Sequence, residues 1–183
     1  MRGKHIVIGV CGSIAAYKAA TLIRIFIKAE AEVKVVMTES ACSFITPLTL
    51  STLSKNPVIF SLTDNETGMW NNHVELALWA DIIVIAPATA QSISKFAHGG
   101  CDDMLSALYL SAKCPVFIAP AMDLDMWAHP ASQSNINLLK SYGNFIIHPG
   151  TGDLASGLKG EGRLAEPEEI SSTLQSWFDN HIR

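Results

Sequence analysis

Five segments of the chain carry small, hydroxyl or charged side chains directly after a predicted strand, where a ligand could be held. The first is GVCGS at 9–13, in which Gly12 lets the backbone approach a ligand and Ser13 adds a hydroxyl group. Backbone N–H groups at the start of a helix attract phosphate, so this turn is typical of a phosphate site. An ordinary glycine turn with Ser13 as the helix cap explains it equally well, because neither GxGxxG nor a P-loop pattern is present.

The second segment follows the next strand and contains Thr38 and Ser40. A dinucleotide fold usually has an acidic residue at this strand end, which holds the ribose hydroxyl groups of the cofactor. Hydroxyl side chains suit a phosphate monoester better, and this favours a mononucleotide such as FMN over NAD. Capping of the following helix would account for both residues without any ligand.

Two further segments, APATA and APAMD, place small residues after apolar strands. Ala88, Thr89 and Ala90 would allow a flat ring to lie against the backbone, although Thr89 also suits a helix cap. Met122 is a soft side chain that packs well on an aromatic ring. Asp123 would project into the crevice or cap the helix that begins directly after it.

The fifth segment is a polar loop that ends at His73, the first residue of a predicted helix. The positive end of that helix favours a neutral imidazole, which is able to act as a general base. A lone histidine is more often structural than catalytic, and that alternative stays open. The other five histidines show no metal-ligand spacing with each other or with cysteine, so we predict no metal site.

Composition narrows the classes of protein to which the chain can belong. Of its 183 residues, 49% are hydrophobic and 16% are charged, which is typical of a well-filled core. A net charge of −4, without a basic run, argues against nucleic acid or an anionic membrane as a partner. No apolar run approaches about 20 residues, the length of a membrane-spanning helix, and no signal peptide is recognisable. We therefore expect a cytoplasmic protein whose four cysteines are reduced.

Strands and helices are predicted to alternate along the chain. Such alternation predicts an α/β fold of the three-layer, Rossmann-like (flavodoxin-like) type, with a mostly parallel sheet and helices on both faces. Ligands in these folds bind at the carboxyl ends of the strands, where the five segments lie. We predict a single domain over 1–183, with a glycine-rich flap at 149–164. The strands are expected at 5–10, 32–37, 56–60, 81–86, 115–119 and 144–147, and the helices at 14–29, 43–53, 73–79, 90–97, 103–110, 124–129, 132–142 and 167–180.

Six stretches span nearly the whole chain: GVCGSIAAYK (9–18), MTESACSFITPL (37–48), HVEL (73–76), WADIIVIAPATA (79–90), PAMD (120–123) and GLKGEGRL (157–164). Together, and in this order, they resemble the homo-oligomeric flavin-containing cysteine decarboxylases. The match is best to the branch of that family that acts in coenzyme A biosynthesis. Joint occurrence of the six is far more specific than any one of them.

The resemblance implies FMN as cofactor, a small-molecule substrate and a homo-oligomer, a trimer or a dodecamer of trimers, with active sites between subunits. His73 matches the family's catalytic histidine, which enters the site from a neighbouring subunit. Met122, Asp123 and Arg163 would bind the substrate. The residues that would hold FMN are Gly12, Ser13, Ile14, Thr38, Ser40, Phe44, Ala88, Thr89 and Ala90.

The family's chemistry implies a reaction for this chain. In that family the flavin takes two electrons from the cysteine side chain, which becomes a thioaldehyde, and CO2 leaves. The reduced flavin then returns the two electrons to the resulting ene-thiol. The resemblance therefore implies conversion of 4′-phosphopantothenoylcysteine into 4′-phosphopantetheine. A peptidyl-cysteine decarboxylase and a non-catalytic flavin-binding regulatory subunit stay as alternatives, whereas prenyl transfer fits the HVEL and PAMD stretches poorly.

Two positions depart from the family's pattern. Asp123 stands where the family often has an asparagine that binds the substrate carboxylate, and an ionised Asp123 would repel that group. Ser156 stands where the flap often has a cysteine that donates a proton in the final reduction. A serine hydroxyl is a far weaker acid than a thiol. With Ser156 in the catalytic position, we expect the reduction to use another proton donor or the product to stay as the ene-thiol.

Overall fold

The computed structural model describes residues 1–64 and 67–181. Within these residues, six parallel strands form one sheet in the order β3-β2-β1-β4-β5-β6. The strand order reverses between β1 and β4, and this is the place where α/β sheets open a crevice for ligands. The strands are β1 (His5–Val10), β2 (Glu32–Met37), β3 (Val58–Ile59), β4 (Ile82–Ala88), β5 (Val116–Pro120) and β6 (Phe145–Ile146).

Helices pack on both faces of this sheet, because its central strands are buried on both sides. In β1, for example, Ile6 and Ile8 face one apolar core and Val7 faces the other. The first core is covered by α1 (Lys18–Lys28), α2 (Pro47–Ser54) and α8 (Pro167–His181). The second is covered by α3 (His73–Trp79), α4 (Ala90–Ala97), α5 (Met104–Ser111), α6 (Leu124–Ala128) and α7 (Pro130–Ser141).

The predicted three-layer α/β fold is confirmed by this arrangement. In the part of the chain that the structure describes, every helix is too short or too polar to cross a membrane.

Two predicted helices begin later than expected. A 3-10 turn, Ile14–Tyr17, precedes α1, and a second one, Glu39–Ser43, precedes α2. The start of α2 is set by Pro47, which suits the first helical turn because its missing N–H is not needed there. Thr46 caps this helix by accepting a hydrogen bond from the Thr49 N–H at 3.2 Å.

The structure places β4 at Ile82–Ala88, whereas the strand predicted from the sequence, 81–86, ends before Pro87. The register between β4 and β5 shifts between Ile85 and Ala88, so the missing N–H of Pro87 falls at an irregularity of the ladder. The Pro87 carbonyl accepts from the Cys11 N–H at 3.1 Å, and the Ala88 carbonyl accepts from the Ala121 N–H at 2.9 Å. These bonds join the ends of three strands beneath the crevice.

The predicted flap is a β-hairpin, formed by β7 (Gly150–Asp153) and the antiparallel β8 (Lys159–Arg163). Its strands were missed because they are rich in glycine, which is depleted from strands. Gly162 has φ of 140°, and a Cβ at this position would collide with the Met122 carbonyl oxygen. The Met122 N–H also donates to the Gly162 carbonyl at 3.0 Å. The hairpin is therefore fixed at its base against the end of β5.

Candidate functional site

A first cavity, termed the hydroxyl cavity, opens where β1, β2 and β4 end. Its volume of about 570 Å³ lies within the range of small-molecule sites. Hydroxyl side chains from three separate segments line it, which is what the sequence predicted for the ends of these strands. The lining residues are Gly12, Ser13, Thr38, Glu39, Ser40, Thr89, Ala90, Gln91, Ser92, Lys95, Asp102, Asp103, Ala121, Met122 and Met126.

The hydroxyl groups of this cavity are held by local hydrogen bonds. Ser13 accepts from the Ala15 N–H at 3.2 Å, and Thr89 accepts from the Ser92 N–H at 3.3 Å. The hydroxyl oxygens of Thr38 and Ser40 lie 3.1 Å apart. Capping uses a lone pair of the serine oxygen, so the O–H of Ser13 can still donate to a ligand. The capping and ligand-binding interpretations of Ser13 are therefore compatible.

Gly12 marks the tightest packing in the hydroxyl cavity. A Cβ on this residue would lie 2.5 Å from Ser40 Oγ and 3.0 Å from the Ser40 carbonyl carbon. Only glycine lets the turn after β1 approach the turn after β2 this closely, and it leaves backbone facing the cavity. Exposed backbone, hydroxyl donors and small residues together fit a phosphate monoester attached to a flat ring.

Lys95 supplies a cation to this cavity, but its charge is already paired. Its Nζ lies 2.5 Å from Asp102 Oδ1 and 2.6 Å from Asp103 Oδ2. Burial alone would lower the pKa of Lys95, yet the two carboxylates outweigh it and raise that pKa. Lys95 is thus a permanent cation with little net charge to offer a phosphate. We expect phosphate affinity to depend on the hydroxyl and backbone donors instead.

The neighbouring thiol of Cys11, at the turn after β1, is fully buried. Burial raises the pKa of Cys11 to about 11, which keeps the thiol protonated and unreactive. Within residues 1–64 and 67–181, no three His, Cys, Asp or Glu residues are grouped to hold a metal ion.

A second cavity, termed the hairpin cavity, lies between the start of α1 and the β7–β8 hairpin. Its volume is about 470 Å³. Ser13, Ala121 and Met122 line both cavities, so the two are adjacent and share a wall. The other residues that line the hairpin cavity are Ile14, Ala15, Tyr17, Lys18, Asp123, Asp153, Leu154, Ala155, Gly162, Arg163 and Leu164.

Asp123 occupies the N-cap position of α6, but its side chain makes no capping hydrogen bond. Its side chain is half-buried and lines the hairpin cavity beside Met122. Of the two roles that the sequence offered for Asp123, the geometry therefore favours the ligand-facing one.

The cations of the hairpin cavity are bound to one carboxylate. Lys18 Nζ lies 2.9 Å from Glu166 Oε1, and Arg163 Nη2 lies 3.4 Å from the same oxygen. The hydrogen bond from Lys18 holds the pKa of the Glu166 carboxyl below its usual value. The network joins α1 to the end of the hairpin.

Three of the predicted site residues, Phe44, Ala88 and Ser156, do not line either cavity. Phe44 is exposed after the second 3-10 turn, and Ala88 is fully buried within β4. Ser156 is exposed in the turn of the hairpin, where its hydroxyl accepts from the Leu158 N–H at 3.4 Å. Its neighbour Ala155 does line the hairpin cavity.

His73 also lies outside both linings, at the start of α3. Asn72 caps this helix by accepting from the Val74 and Glu75 N–H groups. The Trp70 ring meets the imidazole edge-on, with centroids 5.4 Å apart. The Nδ1 atom of His73 is buried and has no hydrogen-bond partner among the described residues. Such an orphaned polar atom is costly and needs an explanation.

Sequence reasoning missed Lys95, Asp102, Lys18 and Glu166, because it looked only at the ends of strands. One signal for Lys95 was available in the paired glycines after α4. A Cβ on Gly100 would lie 2.8 Å from Lys95 Cγ, so this glycine marks the turn that folds back over the lysine.

Comparison with known proteins agrees with this geometry. The family model described as Flavoprotein matches residues 1–179. The chain belongs to the Flavoprotein family. A cysteine/cysteine sulfinic acid decarboxylase from an unknown prokaryotic organism is 61% identical over 134 residues, 73% of this chain and 37% of that protein. The coenzyme A biosynthesis bifunctional protein CoaBC of Haemophilus influenzae is 46% identical over 178 residues, 97% of this chain and 44% of that protein.

Two solved structures of the Flavoprotein fold are also similar. A point mutant of PPC decarboxylase complexed with pantothenoylaminoethenethiol has a TM-score of 0.87 and 34% identity, covering 97% of this chain and 100% of the other. The FMN binding protein AtHal3 has a TM-score of 0.85 and 33% identity, covering 100% of both chains. The resemblance seen in the sequence is thus confirmed. The chain spans less than half the length of the two curated relatives.

Proposed function

We propose that this chain is an FMN-dependent decarboxylase that converts 4′-phosphopantothenoylcysteine into 4′-phosphopantetheine. The observation that carries the proposal is the shared wall of Ser13, Ala121 and Met122 between the two cavities. A flat ring in the hydroxyl cavity and a small substrate in the hairpin cavity would meet at this wall. The CoaBC relative and the PPC decarboxylase structure support this substrate.

The cofactor predicted from the sequence, FMN, is confirmed by the Flavoprotein family and by the FMN binding protein AtHal3. When bound, FMN supplies two-electron redox chemistry, including hydride transfer. Ser13, Ser40 and Thr89 would donate hydrogen bonds to the phosphate and the polar chain of the cofactor. Ala90 and Met122 would pack against the ring.

The substrate would be held in the hairpin cavity by charged groups. Arg163 would bind an anionic group of the substrate, and Asp123 would accept a hydrogen bond from the amide N–H beside the cysteine. The hairpin would exclude water from the reacting carbon, and Ser156 at its turn would be carried toward the substrate.

The cytoplasmic location expected from the sequence stays a prediction.

We also propose that His73 acts in the site of a second copy, within a trimer or a dodecamer of trimers. Three observations support this: the helix that begins with His73 exposes Val74 and Leu78, Trp70 beside it is exposed, and the imidazole Nδ1 has no partner in the part of the chain that the structure describes. An exposed apolar patch around an orphaned histidine is typical of a subunit interface. The imidazole would then act as a base on the substrate thiol or position the substrate.

The oligomer proposal is tested by mixing two inactive variants. His73→Asn and Gly12→Ala are purified alone and as a coexpressed mixture. If each site takes His73 from a neighbour, the mixture regains part of the activity that neither variant has. A mixture that stays inactive, although both subunits are present in one oligomer, contradicts the shared site.

The proposed function is tested by the visible absorption spectrum of the protein, followed by anaerobic addition of 4′-phosphopantothenoylcysteine. We expect a flavin spectrum that bleaches with substrate, release of CO2, and recovery of the oxidised spectrum. Bound flavin that ignores this substrate but responds to a cysteine-ended peptide would favour a peptidyl-cysteine decarboxylase. Bound flavin that responds to neither would favour a regulatory subunit, and no flavin after reconstitution would refute the proposal.

A second candidate function, decarboxylation of unacylated cysteine, is favoured by Asp123. Its uncapped carboxylate faces the hairpin cavity, where it would attract the ammonium group of a free amino acid. The cysteine/cysteine sulfinic acid decarboxylase relative supports this alternative. Release of CO2 from free cysteine that is lost in Asp123→Asn would establish it. A wild-type protein that releases no CO2 from free cysteine would exclude it.

A further inference from the structure

Lys18 is nearly fully buried, with 5% of its surface exposed, yet it carries a charge and lines the hairpin cavity. Its Nζ donates to the Leu164 carbonyl at 3.0 Å and to Glu166 Oε1 at 2.9 Å. A buried ammonium group is tolerated only when it is paired and hydrogen-bonded. These two bonds therefore fix both the lysine and the segment that follows the hairpin.

Glu166 also contacts Arg163, the last residue of β8, at 3.4 Å from Nη2 to the same Oε1. On its other side, the Arg163 side chain crosses Gly152 of the paired strand. A Cβ on Gly152 would lie 3.2 Å from Arg163 Nη1, so the glycine leaves just enough room for the guanidinium. The guanidinium is thus held between a carboxylate and a strand while it lines the cavity.

We propose that Lys18 and Glu166 are positioning residues, which hold the Arg163 guanidinium toward an anionic group of the substrate, either a carboxylate or a phosphate. This inference rests on the proposed function. A planar guanidinium binds such a group well only in one orientation, because its N–H donors form a fixed fork. Lys18 orients the Glu166 carboxylate, and this carboxylate in turn orients the Arg163 guanidinium.

The position of Lys18 at the start of α1 connects this network to the hydroxyl cavity. Lys18 is the first residue of α1, directly after the turn that includes Ser13 and lines the hydroxyl cavity. The anchor of the substrate-binding arginine is therefore the helix that starts at the cofactor cavity. The substrate's anionic group would therefore be bound at a fixed distance from the cofactor cavity.

The test compares Glu166→Gln, Arg163→Ala and the double variant in the flavin-loaded protein. KM and kcat are measured with 4′-phosphopantothenoylcysteine and with unphosphorylated pantothenoylcysteine. We expect Arg163→Ala to raise KM about tenfold and Glu166→Gln about three- to tenfold, with kcat changed less than about twofold. The double variant should be no worse than Arg163→Ala, because Glu166 acts through Arg163.

Glu161→Gln is the matched control, since Glu161 lies on the same strand but pairs with His148, at 2.9 Å, away from Arg163. It should leave KM unchanged. A rise in KM with both substrates identifies the carboxylate as the bound group, and a rise with the phosphorylated substrate alone identifies the phosphate. An unchanged KM in Glu166→Gln, or additive losses in the double variant, overturns the inference.

Dissociation constants, measured as the change in flavin absorbance on substrate addition, separate this inference from the proposed function. A wild-type protein that binds a substrate without releasing CO2 overturns the proposed function. In that case the same three variants still test the network through their dissociation constants. A wild-type protein that binds neither compound overturns both.

Discussion

The hydroxyl cavity and the hairpin cavity share a wall but are built in different ways. The first is formed by backbone turns at the ends of buried strands, and its hydroxyl groups are held by two helix caps and a hydroxyl pair. The second is closed by the β7–β8 hairpin, which is held by close glycine contacts and ion pairs. Strand ends can move little in a packed sheet, whereas a hairpin that is fixed only at its base can open and close.

This difference suits the two ligands that we propose. A cofactor stays bound through many turnovers and benefits from a rigid cradle, whereas a substrate must enter and leave each time. Changes near Gly12 should therefore affect cofactor retention, and changes near Gly162 should affect turnover.

The largest effect is expected for Gly12→Ala. The added Cβ would meet the side chain and the backbone of Ser40 at 2.5 to 3.0 Å, so the two turns must move apart. We expect the purified variant to lose most of its flavin, measured as the ratio of flavin to protein absorbance. Gly150→Ala is the control, because its nearest heavy atom would be at 3.8 Å, an ordinary contact. Equal flavin content in both variants would contradict a tight cradle.

Gly162→Ala should have the next largest effect, and only on turnover. Its φ of 140° is strained for any residue with a Cβ, and the new atom would collide with the Met122 carbonyl. We expect CO2 release to fall about tenfold or more while flavin content stays near that of the wild type. Loss of flavin in this variant would mean that the shared wall, and not the hairpin alone, had moved.

Ser156→Cys should produce a smaller, qualitative change. A thiol is a much stronger acid than a hydroxyl, so a cysteine carried to the substrate should donate its proton more readily. We expect unchanged flavin content and KM, with a several-fold higher ratio of reduced product to ene-thiol, measured by mass spectrometry. Ser156→Ala serves as the control. If the ratio is the same in all three proteins, another group donates the proton.

The smallest effect concerns the pH dependence of stability. Lys18 holds the pKa of Glu166 below its usual value of about 4.3, so this group stabilises the fold above that pH and loses its effect as the pH falls through the folded value. Half of the Glu166 side chain is exposed, so water screens the ion pair. We therefore expect the free energy of unfolding at pH 7 to be only about 1 kcal/mol higher for the wild type than for Glu166→Gln. Urea denaturation from pH 7 to 3 should show that this difference in stability narrows below about pH 4.3. A difference that stays constant over this range would exclude ionisation of Glu166 as its cause.

The hydroxyl cavity could be predicted from the sequence far better than the hairpin cavity. Thr38 and Thr89 follow strong apolar strands, and the rule that ligands bind at strand ends brings such residues together without further information. The same alternation of strands and helices was sufficient to predict the fold. Pro87 misled the prediction locally, because a proline inside a strand is tolerated only at an irregularity of the ladder that sequence does not reveal.

The hairpin cavity depends on contacts between residues far apart in the chain. Lys18 and Glu166 are separated by 148 positions, and nothing in the spacing of either one predicts the pair. The hairpin strands carry too many glycines to give a strand pattern, so their pairing is seen only in three dimensions. His73 is a different case, since its role depends on whether a second copy covers α3.

The anchors of the hairpin lie at its base, at Gly162 and Arg163. The turn at 154–158 closes through its own backbone bonds, from Leu154 N–H to the Leu158 carbonyl at 2.8 Å and from Gly157 N–H to the Leu154 carbonyl at 3.0 Å. Lengthening such a turn costs little free energy, because loop-closure entropy grows only slowly with length. Insertions in this turn would therefore be a route by which descendants of this protein acquire bulkier substrates while their flavin chemistry is inherited unchanged.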